Sequence, residues 1–333
     1  MSAKKIFCCV TMDVEVDKDP HYRVSSPPRF RNVTEAIPHL LEPLFCELGI
    51  KPTYLLCSEV MQDKESVTVL KQLRSQHELG THGHAELLGP EVDVSLFAGK
   101  PMHDFINDYP PEVQREKLSW LTELFIKTFG YPPRSFRAGR FGVNGYTLRI
   151  LQDLGYQVDS SVTPGLYWYN NHQILNFVHA PEQPYHPAEE DVTKRGELDI
   201  WELPVSSWEA SSLGKKVRAW LASGNPVSQA IPEIGKKILL KATSRLRWLR
   251  PTNFSPATLR RWVDNYIKRN ANRDNVFIII MFHPLELIPG ASPYSLNPKK
   301  AKMIISNLRQ LLLYINDKQI KFITLSEIAA YLL

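Results

Sequence analysis

Apolar and polar positions alternate along the chain in two periods, and the switches between them outline the elements. IFCCVTMDV (6–14) is a short apolar run ending in acids, the pattern of a buried parallel strand. A helical pattern follows over residues 34–48, with Thr34 as the expected N-cap and Gly49 as the stop. KPTYLLC (51–57) reads as a second strand, residues 67–75 as a helix, and HELGTH (77–82) as a third strand. Residues 111–129 form an amphipathic helix closed by Gly130 and Pro132-Pro133. RSFRAG (134–139) is strand-like, and residues 144–154 are helical up to Gly155. YQVDSSV (156–162), LDIWELPVS (198–206) and NVFIIIMF (275–282) read as strands. A helix over 298–316, a strand IKFITL (320–325) and a short helix capped by Ser326 complete the pattern.

Repeated strand–helix alternation without a long antiparallel block predicts an α/β fold, a parallel barrel or sheet. Chemistry in such folds gathers at the C-terminal ends of strands, where Asp13, Glu15, His82, Arg137, Asp159 and His283 all fall. Two stretches interrupt the alternation: residues 87–110, loop-like and rich in Gly, Pro and Asp, and residues 212–253. Neither repeats internally. The expected organisation is one domain over 1–333 carrying a basic insertion at about 207–273.

Charge sharpens the second interruption. The chain's net charge is +5, but residues 212–273 hold fourteen Lys or Arg against two acids, Glu233 and Asp264. The rest of the chain is therefore acidic, and the segment suits an anionic neighbour. GKKILLKATSRLRWLR (235–250) mixes Leu, Ile and Trp with its cations, as helices at an anionic membrane surface do. Nucleic acid is not expected, because no supporting motif accompanies the charge. Cys8, Cys9, Cys46 and Cys57 form no C-x-x-C pair and read as reduced, mostly buried thiols. The longest apolar run, 276–282, falls well short of a membrane span, and MSAKKIFCCVTMDVE lacks a signal-peptide core. The expected location is cytoplasmic, peripheral at the inner membrane face if the insertion binds lipid.

Asp13 and Glu15 lie two apart on an extended segment, so both carboxylates can face one pocket, one as metal ligand and one as base. His82 and His84 share that spacing, whereas His82 and Glu86 share a face only if a helix begins there. Neutral imidazole is the softer zinc ligand, which favours His84 over Glu86. FRAGRFG (136–142) sets Arg137 and Arg140 beside glycines, where a guanidinium can hold a carboxylate. An imidazole such as His283 becomes an oriented acid or base when a carboxylate such as Asp159 pairs with it.

In this order and context the motifs resemble the polysaccharide deacetylase family, the NodB-homology or carbohydrate esterase family 4 group. TMDVE (11–15), GIKPTYLL (49–56), HELGTHGH (77–84), SFRAGRFG (135–142), DSSVTPG (159–165) and MFHPLELIPGASPY (281–294) carry the resemblance. It covers about residues 5–165 and 275–332. It implies a distorted parallel (β/α) barrel of about seven strands, with a divalent metal, most commonly zinc. By that resemblance Asp13 is the base, Glu15 and His82 are metal ligands, Arg137 holds Asp13, and His283 is the general acid oriented by Asp159. The chain departs from the family in three places. The usual His-x-x-x-His has Glu86 at its second position, with His-x-His as the alternative. The first motif is Asp-x-Glu, and Gly139, followed by an extra Arg140, stands where many members have proline.

The expected function is removal of an N-acyl group, acetyl or formyl, from an amino sugar on a phosphate-bearing lipid-linked or nucleotide-linked saccharide. Arg140 is then expected to meet the oxyanion or an anionic substrate. The aromatic stretch 166–169, with Tyr167 and Trp168, and the 87–110 loop would form a face for the sugar. The alternatives are hydrolysis of a small non-sugar amide, and glycan binding without turnover.

Overall fold

The computed structural model describes residues 4–90, 105–169 and 174–332. Its strands, in chain order, are β1 (Lys5–Val14), β2 (Pro52–Leu56), β3 (Glu78–Gly83), β4 (Ser135–Ala138), β5 (Val158–Asp159), β6 (Tyr167–Tyr169), β7 (Ile174–Asn176), β8 (Trp201–Glu202), β9 (Ser207–Glu209), β10 (Leu246–Trp248), β11 (Asn275–Phe282) and β12 (Lys321–Phe322). Seven run parallel in the order β11-β1-β2-β3-β4-β5-β8, and β12 adds a short parallel pairing to β1. The expected seven-strand parallel α/β architecture is the observed one. The outer edge of β11 is met by two residues, Ser206 and Gln183, each of which also accepts a backbone N–H of the strand, instead of by a ladder. Ser206 N donates to Ile279 O at 3.0 Å, and Gln183 Nε2 donates to Phe277 O at 3.0 Å. The strand order therefore ends at β11 on one side and β8 on the other without closing.

β1 shows how sequence becomes architecture. Phe7 and Cys9 point inward and pack with Leu55, Val158, Phe277, Ile279 and Ile323 in the barrel interior. Cys8, Val10, Met12 and Val14 point outward and pack under the helices. Because side chains alternate, the inward series continues through Thr11 to Asp13 and Glu15. The apolar plug at the bottom and the carboxylates at the top are one face of the same strand.

Several predicted boundaries move, each for a local reason. The first helix begins at Asn32, not Thr34, because Asp17 accepts the backbone N–H of Arg31 at 3.0 Å and of Asn32 at 3.1 Å. Thr34 instead bonds Phe30 O through its hydroxyl at 3.2 Å. Pro38 lies inside this helix, which runs as a wide π-helix over Asn32–Leu41 before tightening into Glu42–Leu48. Proline has no N–H and crowds the preceding turn, so the wider turn relieves both problems. The helix expected at 67–75 is Lys64–Lys71, fixed upstream by the Asp63 cap on Ser66 N at 2.8 Å. Ser326 does not cap the final helical turns with its side chain; its N–H goes to Glu78 Oε2 at 3.0 Å. Helices Pro111–Phe129 and Pro298–Asp317 and strand β11 lie where the pattern put them, the second helix one residue longer.

The basic segment divides in two. Helix Pro256–Arg269 buries Leu259, Val263 and Tyr266 and packs beside Pro298–Asp317 like the other barrel helices. What stands apart from the barrel is the hairpin β9–β10 and the helices Ser212–Ala222, Pro226–Ala230 and Glu233–Thr243 between its strands. No helix among the described residues is long and apolar enough to cross a membrane.

Candidate active site

A cavity of about 580 Å³ opens at the C-terminal ends of the strands, lined by Asp13, Glu15, Cys57, His82, His84 and His283 among others. All but His283 are buried. Asp13 arrives on the inward face of β1 and Glu15 immediately after that strand, His82 on the inward face of β3, Arg137 on that of β4 and His283 immediately after β11. His84 follows the last residue of β3 in an extended conformation, φ −86° and ψ 112°, which keeps it on the same side as His82.

Arg137 is fully buried and donates from Nη1 to Asp13 Oδ1 at 2.7 Å. Its Nε and Nη2 bond Ser160 O at 2.7 Å and Ser160 Oγ at 2.8 Å, so the guanidinium cannot swing away. Burial opposes charge on Asp13, but Arg137, His82 and His283 together outweigh it and hold the carboxyl below its usual value. Asp13 is therefore a buried acceptor that favours its charged form.

Glu15 Oε1 lies 2.9 Å from His84 Nε2 and 3.3 Å from His82 Nε2. Glu15 is also anionic: burial resists, but His84 and Lys18 pull its carboxyl well below the ordinary range. His82 Nδ1 donates to Arg137 O at 2.9 Å, which directs the lone pair of Nε2 toward Glu15. Metal–nitrogen and metal–oxygen bonds of about 2.1 Å place tetrahedral ligand atoms about 3.4 Å apart. The two distances from Glu15 Oε1 to the imidazole nitrogens are close to that, and one nitrogen of each histidine lies within 4.8 Å of the other, so the residues fit a divalent cation. Glu86, the alternative third ligand, does sit on the short helix Ala85–Leu87, but its Oε1 turns to Arg140 Nη1 at 2.5 Å and stands 3.6 Å from His84 Nδ1. It is placed to orient His84 and to anchor Arg140. Gly139, where proline is common in the family the motifs resemble, has a physical counterpart here. A Cβ at that position would lie 2.7 Å from His84 Nδ1 and 3.0 Å from Gly83 O. The His84 ring occupies the space that a side chain at 139 would need.

His283 points Nε2 into the cavity, 3.7 Å from Glu15 Oε1 and 4.0 Å from Asp13 Oδ2. Its Nδ1 faces Glu286 Oε1 at 3.0 Å. Glu286, not the expected Asp159, is the carboxylate on this imidazole. Glu286 is fully buried and bonded to Arg250 Nη2 and Thr252 Oγ1. Burial works against its charge, yet Arg250 and His283 take its carboxyl down to about 2. Asp159 instead accepts from Ser161 N at 3.0 Å and Ser161 Oγ at 2.7 Å and lies against Glu202. Burial and the neighbouring Asp159 push Glu202 far up, so this pair shares a proton beneath the site. It braces the strand end and takes no part at the imidazole.

Four side chains in the cavity were given no role by the sequence reading. Glu286 sits three residues after His283 within an apolar turn, where an i, i+3 acid was the available clue. Arg250 comes from the insertion, far away in sequence. Lys18 pairs with Glu15 Oε2 across one turn. Cys57 follows β2, and its sulfur and one nitrogen each of His82 and His84 lie within 4.8 Å of one another. Burial keeps this thiol protonated, well above its usual range.

The cavity wall is aromatic. Phe141 stacks on Trp168 with ring centroids 5.1 Å apart, and Trp248 closes edge-on at 5.9 Å from Phe141 and 6.1 Å from Trp168. Trp168 Nε1 is bonded to Thr163 Oγ1 at 2.8 Å, whereas Trp248 Nε1 has no partner. Of the two aromatics expected to meet substrate, Trp168 lines the cavity. Tyr167, its neighbour on β6, is not among the lining residues, as strand alternation requires. Arg140 lines the mouth with a left-handed backbone, φ 51°. Of the 87–110 loop expected to add to the sugar face, residues 91–104 lie outside the described residues.

No family model and no curated protein matches the sequence. Solved structures do. A protein described as a polysaccharide deacetylase from Mycobacterium smegmatis is 15% identical with a TM-score of 0.55, covering 99% of this chain and 91% of that one. An allantoinase is 12% identical with a TM-score of 0.53, covering 98% and 90%. A protein described as a polysaccharide deacetylase from Pseudomonas aeruginosa is 11% identical with a TM-score of 0.51, covering 98% and 90%. With the strand order and the inward carboxylates already established, these likenesses identify the fold: it is the NodB-like fold of the polysaccharide deacetylases.

Proposed function

We propose that the protein is a metal-dependent hydrolase that removes an N-acyl group, acetyl or formyl, from an amino sugar. The observation that carries this reading is the convergence of an arginine-held Asp13, a Glu15/His82/His84 donor set and a Glu286-held His283 in one cavity. Glu15, His82 and His84 would hold a divalent metal, most suitably zinc. When bound, that metal would polarise the amide carbonyl and acidify water. Asp13, anionic beside Arg137, accepts the proton of the attacking water. His283, with Nδ1 fixed by Glu286, presents Nε2 to the departing nitrogen, which must be protonated to leave. Phe141, Trp168 and Trp248 offer apolar faces to a pyranose.

We further infer a phosphate-bearing substrate, lipid-linked or nucleotide-linked. Its support is the basic surface of the insertion rather than the cavity, where Lys18, Arg140 and Arg250 are each paired to a carboxylate. The allantoinase likeness makes a small cyclic or linear amide the competing substrate; the aromatic wall favours the sugar. The test is amine release from N-acetyl and N-formyl amino sugars and from simple amides, with the protein stripped by chelator and reloaded with zinc. Zinc-dependent release from the sugars is expected. No bound metal by elemental analysis, together with no release after adding zinc, cobalt or manganese, sinks the proposal.

A further inference from the structure

The helices Ser212–Ala222, Pro226–Ala230 and Glu233–Thr243 are tied to the hairpin β9–β10 at their base by one buried acid. Glu209 accepts from Ser211 N at 2.9 Å, Arg245 N at 2.6 Å and Arg218 Nε at 3.1 Å, and from the Ser244 hydroxyl. The outer face of this unit is uncovered. The three most exposed large apolar side chains among the described residues all lie on it: Ile234 at 72%, Val227 at 67% and Ile238 at 65%. Ile234, Lys237, Ile238 and Lys241 follow the i, i+3, i+4, i+7 spacing of one helical face, and all four are exposed. Leu213 and Lys216, three apart on the first helix, repeat the combination. Residues 212–253 contain nine Lys or Arg and a single acid, Glu233.

We propose that this face docks on the surface of an anionic lipid bilayer. Isoleucines interleaved with lysines match the boundary where acyl chains meet anionic headgroups. A nucleic acid would engage the cations and leave the isoleucines in water. A second copy related by a twofold axis would set the Lys237 and Lys241 rows against their own images. Trp248 lies five residues beyond the last of these helices and lines the cavity, so the docking unit continues directly into the wall of the active site. Attachment stands independently of the deacetylase reading; the substrate class it selects, a lipid-linked rather than a nucleotide-linked saccharide, rests on that reading.

The test is sedimentation of the full chain with vesicles of phosphatidylcholine, alone or mixed with phosphatidylglycerol, at low and high salt. Binding to the mixed vesicles only, released by salt, is expected. Ile234→Asn with Ile238→Asn, and separately Lys237→Glu with Lys241→Glu, should each lower the partition about tenfold or more. Neither pair should change the thermal midpoint or turnover of a water-soluble substrate. Equal partition of variants and wild type, or no binding by wild type, overturns the proposal. So does a wild-type dimer in light scattering that the isoleucine variant renders monomeric. Sedimentation reads no turnover, so an inactive protein that still binds vesicles supports the attachment and refutes only the deacetylase reading.

Discussion

Gly139→Ala adds one methyl group and asks whether His84 holds the metal. The new Cβ would start 2.7 Å from His84 Nδ1 and 2.8 Å from its Cγ. Reaching an ordinary contact of about 3.4 Å requires the ring to retreat by roughly 0.7 Å. Metal ligands tolerate errors of about 0.2 Å, so the ring cannot both avoid the methyl and keep its bond length. Overpacking of this kind costs about 1–3 kcal/mol, which corresponds to a zinc affinity lowered roughly 10- to 100-fold. The backbone at 139 is not left-handed, so alanine adds no conformational strain of its own. The assay is zinc competition against a chromogenic chelator, with the metal-free thermal midpoint as the control for folding and His84→Ala as the reference for full loss. Wild-type zinc affinity in a Gly139→Ala protein of unchanged midpoint would refute the assignment of His84, and with it the explanation for glycine at this position.

Three further outcomes follow from the same geometry. Glu286→Gln should lower kcat about 10- to 100-fold with KM nearly unchanged, since it removes a charge-assisted bond to the acid and nothing on the binding wall. Its carboxyl titrates near 2 when folded and near 4.5 when unfolded, so it adds about 3 kcal/mol of stability above pH 4.5 that is lost as pH falls toward 2. Acid unfolding of wild type should show that loss and Glu286→Gln should not. Arg137→Met strands a buried carboxylate at a cost of about 3–5 kcal/mol. It should also move the acid limb of kcat/KM to higher pH, because burial then acts on Asp13 without the opposing cation; an unmoved limb would rule out Asp13 as the base. Trp168→Ala should raise KM for acylated amino sugars about tenfold while sparing small amides, and equal losses on both would remove the sugar wall from the reading.

The parts of the site readable from the sequence are those written in the strand period. Asp13 with Glu15 and His82 with His84 are two apart, and an extended chain has no other way to arrange them than side by side. Arg137 and His283 were legible because an ionisable residue at the C-terminal end of an apolar strand has few other reasons to be there. Asp159 satisfied the same rule yet serves as a brace, because the decisive fact is its neighbour Glu202 on β8, which only the strand order reveals. Glu286, Arg250 and Thr252 meet through a short turn and an insertion, and no periodicity connects them. Of the fold, helices Pro111–Phe129 and Pro298–Asp317 and strands β1 and β11 were readable to within a residue, whereas helix Pro256–Arg269 was hidden in the basic segment because its exposed face is rich in Lys and Arg. The two-residue ladders at β5 and β8 were overestimated, because the chain leaves the sheet at Ser160 and Leu203 while its sequence still alternates.

β1 is hydrogen-bonded along both edges, to β11 from Lys5 to Met12 and to β12 and then β2 on the other side. Amides in such a strand exchange with solvent only when the whole molecule opens. Asp13 lies one residue beyond the last pair with β11 but still opposite Leu55 of β2, and Glu15 follows the last pair with β2, Val14 with Leu56. His84 and Glu86 lie just past the last ladder pair of β3, Gly83 with Ala138. The donor set is therefore divided within each strand: His82 is held in a ladder, while Glu15 and His84 each stand one residue past one, so on warming these two loosen ahead of the barrel.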